Sequence, residues 1–446
     1  MFKKIRFTAE YFFYYLKKNI LFIFLGLAVG SIAFIEKNNL VVLYQRLQTK
    51  QQSYGIEGLY RSDNLPLNIS QLISFGLTEI NDNNRITNSP LIQSLDIRNN
   101  NLEYLFTINT NYVWQNGKKL VSSDIVYPYS GIEFSYPDDS HLVIKLNSSF
   151  SPILSLFTQP LFLKNSLVGL SDYRVTSKTL QEGYLKYLHL QNAKTGAKLV
   201  YKFYPNEKDL INAFKLGEVD SITLTNIPSD FKSWPGIAIT QQIDTSKYSA
   251  IFLNTEKINQ KPLRQALAYA TPKTNEKNQR CLSPISPNSW AYTSGIKEYN
   301  YNPTRSKELF DPKSLSSIKL LVADRKLIDR AEVIKQAWEK ILSIKVDVLS
   351  SVNQSVNLAE YDAILAYGSI LIDPDQFSFW HSTQTQQNNI THLNNPRIDK
   401  LLEEGRNTFD LIERNKIYQD FQRYLLEESP AIFLEFPVTY TINRVK

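Results

Sequence analysis

Asp373 and Asp375 stand two residues apart in the run Asp-Pro-Asp-Gln, and carboxylates that close can act as an acid and base pair or ligate a hard cation. The intervening proline argues for a plainer role, because Asp-Pro-Asp turns use their side-chain oxygens to accept from nearby backbone N–H groups. The turn is the expected role. His381 beside Ser382 pairs a base with a nucleophile on paper, yet adjacent side chains rarely face each other as such a pair must. Trp290 with Tyr292, and Trp380 with Phe377 and Phe379, are expected first as core and second as a ligand platform. There is no glycine-rich phosphate loop, no Gly-x-Ser-x-Gly elbow and no His-Glu-x-x-His helix. One cysteine, Cys281, and four scattered histidines, His141, His189, His381 and His392, give neither a disulfide nor a zinc framework. The chain reads as non-catalytic, with no cofactor and no metal.

Positioning any such residues needs a folded scaffold, and 446 residues with 43% hydrophobic and 21% charged content suffice for two or three cores. The net charge of +7 is concentrated at one end. Lys3, Lys4, Arg6, Lys17 and Lys18 oppose only Glu10 in the first 18 residues, and no basic stripe interleaved with aromatics follows, so nucleic acid is not an expected partner.

From Asn19 to Ile35 there are 17 residues without a charge, about 26 Å of helix at 1.5 Å per residue, near the lower limit for crossing a bilayer. The basic residues precede this segment, which predicts a cytoplasmic N-terminus and a chain that is extracytoplasmic after Glu36. An uncleaved anchor is the favoured reading. Cleavage after Ala33, with Ser31 and Ala33 as the small residues, is the alternative, and a buried helix the third. No cysteine stands where a lipid could be attached.

Residues 37–54, rich in Lys, Asn and Gln, read as a stalk, with the fold beginning near Tyr54. From there to about Pro160 the pattern is β-like: Leu102–Trp114 and His141–Asn147 alternate apolar and polar residues, and Asn116-Gly117 is expected to supply the positive-φ positions of a tight turn. Ser122 or Ser123 is expected as a helix N-cap with Asp124 near the positive end of the dipole. Helical periods follow at Glu207–Gly217, Pro262–Ala270, Leu327–Leu342 and Pro396–Glu428, separated by short apolar strands. Arg264 is expected to pair locally. Short strands alternating with amphipathic helices indicate α/β or α+β, since each helix must bury one apolar stripe against a sheet.

Several collinear segments resemble the extracellular solute-binding protein family 5, the peptide- and nickel-binding receptors of ABC importers. They include YVWQNGKKLVSSDIVY (112–127), FKLGEVDSI (214–222), IFLNTEKINQKPLRQALAYA (251–270), SPNSWAY (286–292), DPDQF (373–377) and the run from Asn395 to Phe436. The resemblance covers nearly everything from Gly58 to Val445. It implies a two-lobed type II (cluster C) periplasmic-binding fold with an inserted β-rich subdomain. The expected divisions are a basic segment and anchor at 1–36, a stalk at 37–54, lobe I at 55–251 with the β-rich insert at about 68–165, lobe II at 252–415, and a return to lobe I at 416–446. It further implies a monomeric receptor of an oligopeptide or similar small solute, working with an ABC permease; the expected N-terminal anchor to the bilayer is a departure from relatives that are typically soluble or lipidated. The ligand-binding residues implied are Tyr60, Arg61, Trp290, Tyr367, Ser369, Asp373 and Trp380. The alternative is a surface sensor or assembly module with a degraded site.

Two departures from the family pattern bear on the ligand. Peptide-binding members carry an Asp a few residues before the Asp-Pro step to neutralise the α-ammonium, whereas no carboxylate stands between Tyr367 and Ile372 here, leaving Asp373 as the nearest substitute. The segment after Ala270 is short and polar, with Ala-Thr-Pro-Lys in place of the customary Ala-Ile-Asp-Arg.

Overall fold

The segment Lys247–Leu253 is the fourth strand of a five-stranded sheet ordered Lys345–Ser350, Ser317–Val322, Ala363–Ser369, Lys247–Leu253 and Ala431–Glu435 in this computed structural model, which describes residues 18–19, 51–350 and 357–445. The first three strands run parallel, and Lys247–Leu253 lies antiparallel between Ala363–Ser369 and Ala431–Glu435. Successive strand residues point to opposite faces, and both faces are buried here. Ile251, Leu253, Leu320, Val322, Leu365 and Leu434 share one core with Leu263, Leu267, Ile334 and Trp338 of the helices Lys261–Ala270 and Ile328–Leu342. Ala250, Phe252, Leu321, Ile364 and Phe433 share the other with Ile398, Leu402, Phe421 and Leu425 of Pro396–Asn407 and Leu411–Glu428. Helices on both faces explain why these strands read as nearly continuous apolar runs. Each fully buried large aliphatic or aromatic side chain contributes about 1.5–3 kcal/mol by leaving water.

Packing divides the described chain into two compact units, one of residues 51–66 and 171–220 and one of 67–170 and 221–445. These boundaries differ from the expected lobes, since the β-rich insert falls in the unit with 221–445. In the smaller unit, Gln52–Glu57 pairs parallel with Lys198–Tyr204, and Tyr184–Asn192 and Tyr173–Gln181 continue antiparallel. The first strand starts at Gln52, so residues 52–54, expected in the stalk, belong to the fold. Helix Glu207–Lys215 is capped by the Asn206 side chain, which accepts from the Asp209 amide, and ends before Gly217 at φ +79°.

Within the larger unit, the β-rich module forms a four-stranded sheet, Ile92–Arg98, Glu103–Ile108, His141–Leu146 and Ile132–Asp138 in spatial order. Trp114, Phe106, Phe157 and Leu142 lie in its own core. Two local expectations change here. Gly117 alone has positive φ at the 113–119 hairpin; Asn116 does not. Ser122 is not a cap but the first residue of a short turn, Ser122–Asp124, and donates to the Asp138 carbonyl; Asp124 accepts from the Trp114 indole at 3.0 Å and pairs with Lys118. The long helical period at 396–428 is broken into two helices because Asp410 caps the second, accepting from Ile412 and Glu413 amides. Arg264 is buried and reaches beyond its own neighbourhood: Nη1 donates to the Ile258 and Asn259 carbonyls, while Nε and Nη2 donate to that of Glu428. The C-terminal strand Val438–Arg444 lies antiparallel between Ser221–Leu224 and Ile237–Ile243.

Residues 20–35 of the expected anchor and most of the stalk lie outside the described residues. Among the described residues no helix is long and apolar enough to cross a membrane.

Candidate functional site

In open α/β sheets, ligands bind outside the carboxyl ends of the strands, where loops can vary without disturbing the core. At that end of the five-stranded sheet the strands Ser317–Val322, Ala363–Ser369 and Ala431–Glu435 finish and Lys247–Leu253 begins. Tyr367 is half-buried there, with the Lys247 ammonium 5.1 Å from its ring centre. Ser369 stands opposite Lys247 in the strand register and is exposed. Lys247 lies 3.7 Å from Asp244, and the Asp324 side chain accepts from the Lys326 amide at 2.8 Å. Burial first, and then the carboxylates of Asp324, Glu435 and Asp244, push the Tyr367 phenol up to about 12. It is a hydrogen-bond donor throughout the neutral range.

The short segment after helix Lys261–Ala270 closes the same edge. Thr271 donates to the Leu267 carbonyl at 2.7 Å and accepts from the Trp338 indole at 3.0 Å, which fixes where the chain leaves the helix. Lys273, two residues on, donates from its ammonium to the Ala268 and Thr271 carbonyls at 2.5 and 3.0 Å. Arg280 binds the Phe433 and Leu434 carbonyls at 2.6 and 2.7 Å and that of Glu298 at 2.9 Å. Arg330 donates to the Pro272 carbonyl at 2.8 Å and lies 3.7 Å from Glu435. The Nε atoms of Arg280 and Arg330 are buried without an acceptor. Burial, reinforced by the two guanidiniums, holds Lys273 well below the usual lysine range, and burial lowers Arg280 to about 10. Cys281 is wholly buried and its thiol is pushed up to about 12 by desolvation, which makes it unreactive.

The other residues singled out by the sequence lie elsewhere. Asp373, 8% exposed, makes a two-point ion pair with Arg414 at 2.7 and 2.6 Å and accepts from the Asp375 amide. Asp375 pairs with Arg406 at 2.8 Å and accepts from the Phe377 amide. The Asp-Pro-Asp run is therefore a turn with both carboxylates engaged. Trp290 sits 5.4 Å from the Arg414 guanidinium and packs edge-on to Tyr418. Trp380, 1% exposed, packs on Phe252 and Phe433 and donates its indole N–H to Gln376, which makes it core. His381 contacts Thr383 at 2.9 Å and Glu403 at 3.2 Å, not the Ser382 hydroxyl. In the smaller unit, Tyr60 packs on Phe203, and the Arg61 guanidinium lies 5.8 Å from the Tyr184 ring centre. The structure thus brings Tyr367 and Ser369 together at the sheet edge, and Trp290 and Asp373 together around Arg414. Lys247, Asp324, Arg330 and Glu435 were missed by the sequence reading; Glu435 ends an apolar strand, Asp324 closely follows one and Lys247 starts one, whereas Arg330 stands in the first turn of helix Ile328–Leu342 and carries no such signal. Lys273 and Arg280 fall in the segment already marked by its departure from the family pattern.

A surface cavity of about 420 Å³ in the β-rich module is lined by Tyr129, Ile132, Leu146, Phe150 and Leu156, with no charged side chain. It lacks groups that could fix the ends of a zwitterion. Among the described residues no group of three or more His, Cys, Asp or Glu side chains is arranged to hold a metal ion.

The sequence model of the bacterial extracellular solute-binding proteins, family 5 (middle portion), matches residues 129–389. The chain belongs to that family. Its members are non-catalytic solute receptors. This family 5 protein is 22% identical over 276 residues to the oligopeptide-binding protein AppA of Bacillus subtilis, covering 54% of this chain and 50% of AppA; the chain spans about half the length of the curated relatives it matches. Its fold is similar to that of NikZ from Campylobacter jejuni, solved with Ni(L-His), at a TM-score of 0.71 and 21% identity over 88% of this chain and 94% of that one. It is also similar to the structure of B. subtilis AppA with a nonapeptide, at a TM-score of 0.69 and 19% identity over 89% and 94% of the two chains. At these identities the structural likeness speaks to the fold.

Proposed function

We propose that this protein is an extracytoplasmic, monomeric receptor that captures an oligopeptide or similar small solute and delivers it to an ABC permease. We further propose that the segment Asn19–Ile35 tethers it to the membrane with its N-terminus in the cytoplasm. Family membership supports capture of a solute, and the basic residues ahead of the apolar segment support the orientation. Tethering near a permease raises the effective concentration of receptor without any new contact.

The observation that carries the peptide reading is the mixture of charges around the half-buried Tyr367. A peptide is a zwitterion, and removing its ammonium from water without a counter-charge is costly, by several kcal/mol. The stretch 367–372 supplies no carboxylate, but Asp244, Asp324 and Glu435 all act on the Tyr367 phenol from neighbouring elements. In this reading they receive the ammonium, while Tyr367 and Ser369 offer hydroxyls to the peptide backbone. The second reading, a sensor or assembly module with a degraded ligand site, is favoured by the full engagement of Asp373 with Arg414.

Native mass spectrometry of the full chain, purified from membranes in detergent, separates the two. The receptor reading expects a heterogeneous set of peptide masses released on partial unfolding. An empty protein that also ignores a peptide library contradicts it and leaves the sensor.

A further inference from the structure

The cavity of about 420 Å³ in the β-rich module shares no lining residue with the sheet edge, and the receptor reading makes no use of it. Its size falls at the lower end of small-molecule sites, which run roughly 300–1,000 Å³. Two aromatic rings line it, and both are fixed by the fold. The Tyr129 phenol donates to the Leu156 carbonyl at 2.7 Å, and its ring stacks on Tyr127 at 5.6 Å. Phe150 is followed by Ser151, whose amide donates to the Arg406 carbonyl at 2.7 Å and whose hydroxyl donates to that of Gly405 at 3.0 Å. Surface held in place before binding loses little entropy when a ligand arrives. Ile132, Leu146 and Leu156 add apolar surface.

The polar part of the lining is of a different kind. Ser130, Asn147 and Ser148 are exposed, and their side chains hydrogen-bond to none of the described residues. None of the lining side chains is charged. The Arg406 guanidinium, 5.4 Å from the Phe150 ring centre, is held by Asp375 at 2.8 Å and brings no uncommitted charge. A charged ligand would therefore leave water without a counter-ion. An acyl chain would cover the amide and the two hydroxyls without replacing their bonds to water. A pyranose suits both parts of the lining. The C–H groups of its flatter face meet the negative face of an aromatic ring, and its hydroxyls both donate and accept, as serine and asparagine side chains do. We propose that this cavity binds an uncharged pyranose ring, independently of what the sheet edge holds.

Saturation-transfer NMR of the full chain, in a detergent without a sugar headgroup, tests this with glucose, cellobiose and N,N′-diacetylchitobiose as probes. Transfer to the ring C–H protons of at least one of the three is expected. Replacing both Asn147→Ala and Ser148→Ala should raise the half-saturating concentration by about tenfold. The melting temperature should stay unchanged, because neither side chain bonds within the fold. Phe150→Leu, which keeps apolar bulk but removes the aromatic face, should abolish transfer, with a melting curve to confirm that the variant is folded. No transfer from any of the three sugars overturns the proposal. Equal transfer in the parent and the Asn147, Ser148 double variant places the sugar elsewhere and overturns the assignment. Transfer displaced by trialanine in the parent chain would give the cavity to peptide and overturn the sugar.

Discussion

Two charged regions of the larger unit, built from the same residue types, are organised in opposite ways. Around Asp373 and Asp375 every charge is matched: Arg414 grips Asp373 at two points and Arg406 holds Asp375. The Arg414 Nε also donates to the Gly405 carbonyl at 2.7 Å, and the Ser151 amide donates to that of Arg406, tying the β-rich module to the helices. At the carboxyl edge of the sheet the charges are only partly matched: two buried Nε atoms have no acceptor and Lys247 stands 3.7 Å from its carboxylate. Matched groups hold a structure together, whereas groups short of partners can still receive a solute.

The sharpest way to break this contrast is Asp373→Ala. It leaves the Arg414 cation buried, at 3% exposure, without its partner, and should lower unfolding free energy in urea by about 3–5 kcal/mol. The joint replacement Asp373→Leu with Arg414→Met should be far milder, because a well-packed apolar pair can stand in for a buried ion pair. A loss of solute affinity in Asp373→Asn without loss of stability would move the binding site to this region.

Gly405→Ala comes next. A Cβ there would lie 2.8 Å from the Tyr418 phenol, so the helix pair must shift. Calorimetric melting should register a loss of about 1–3 kcal/mol.

The third prediction concerns pH. The native Lys273 pKa is lowered relative to the unfolded chain, so above it the unfolded state binds more protons than the native one. Stability therefore rises with pH between the lowered native value and the ordinary lysine value, by up to about 1.4 kcal/mol per pH unit. Denaturation curves at successive pH values should show that slope in the parent chain, and Lys273→Met should remove it.

The smallest stability effect belongs to Tyr367→Phe. Its hydroxyl bonds to none of the described residues and it borders solvent, so unfolding should change by within about 0.5 kcal/mol while peptide affinity falls severalfold by calorimetry. A large destabilisation with unchanged affinity would place Tyr367 in the framework and not in the site.

Much of the fold was legible because it is written in local periods. The strands at 317–322 and 363–369 follow from short apolar runs, and the helices at 261–270 and 328–342 from helical periods. The break at Asp410 was missed since the apolar stripe runs through it, and only the cap, a hydrogen-bond feature, divides the two helices. The site was less legible. Tyr367 and Ser369 were reached through the resemblance, but Trp380 has an aromatic signature that a core and a pocket share, and its burial depends on Phe252 and Phe433, far away in sequence. Likewise Asp373 carries no local sign that Arg414, 41 residues on, will claim it. The cations of the sheet edge come from the ends of separate elements, so only the folded sheet brings Lys273, Arg280, Arg330 and Glu435 together.

The central claim is that solute is held at the carboxyl edge of the five-stranded sheet. Hydrogen exchange of the full chain with and without saturating trialanine tests it most directly. The account predicts slowed exchange in residues 271–281, 323–330 and 366–370. Slowing confined to 286–292 and 373–381, with the sheet edge unchanged, would contradict it.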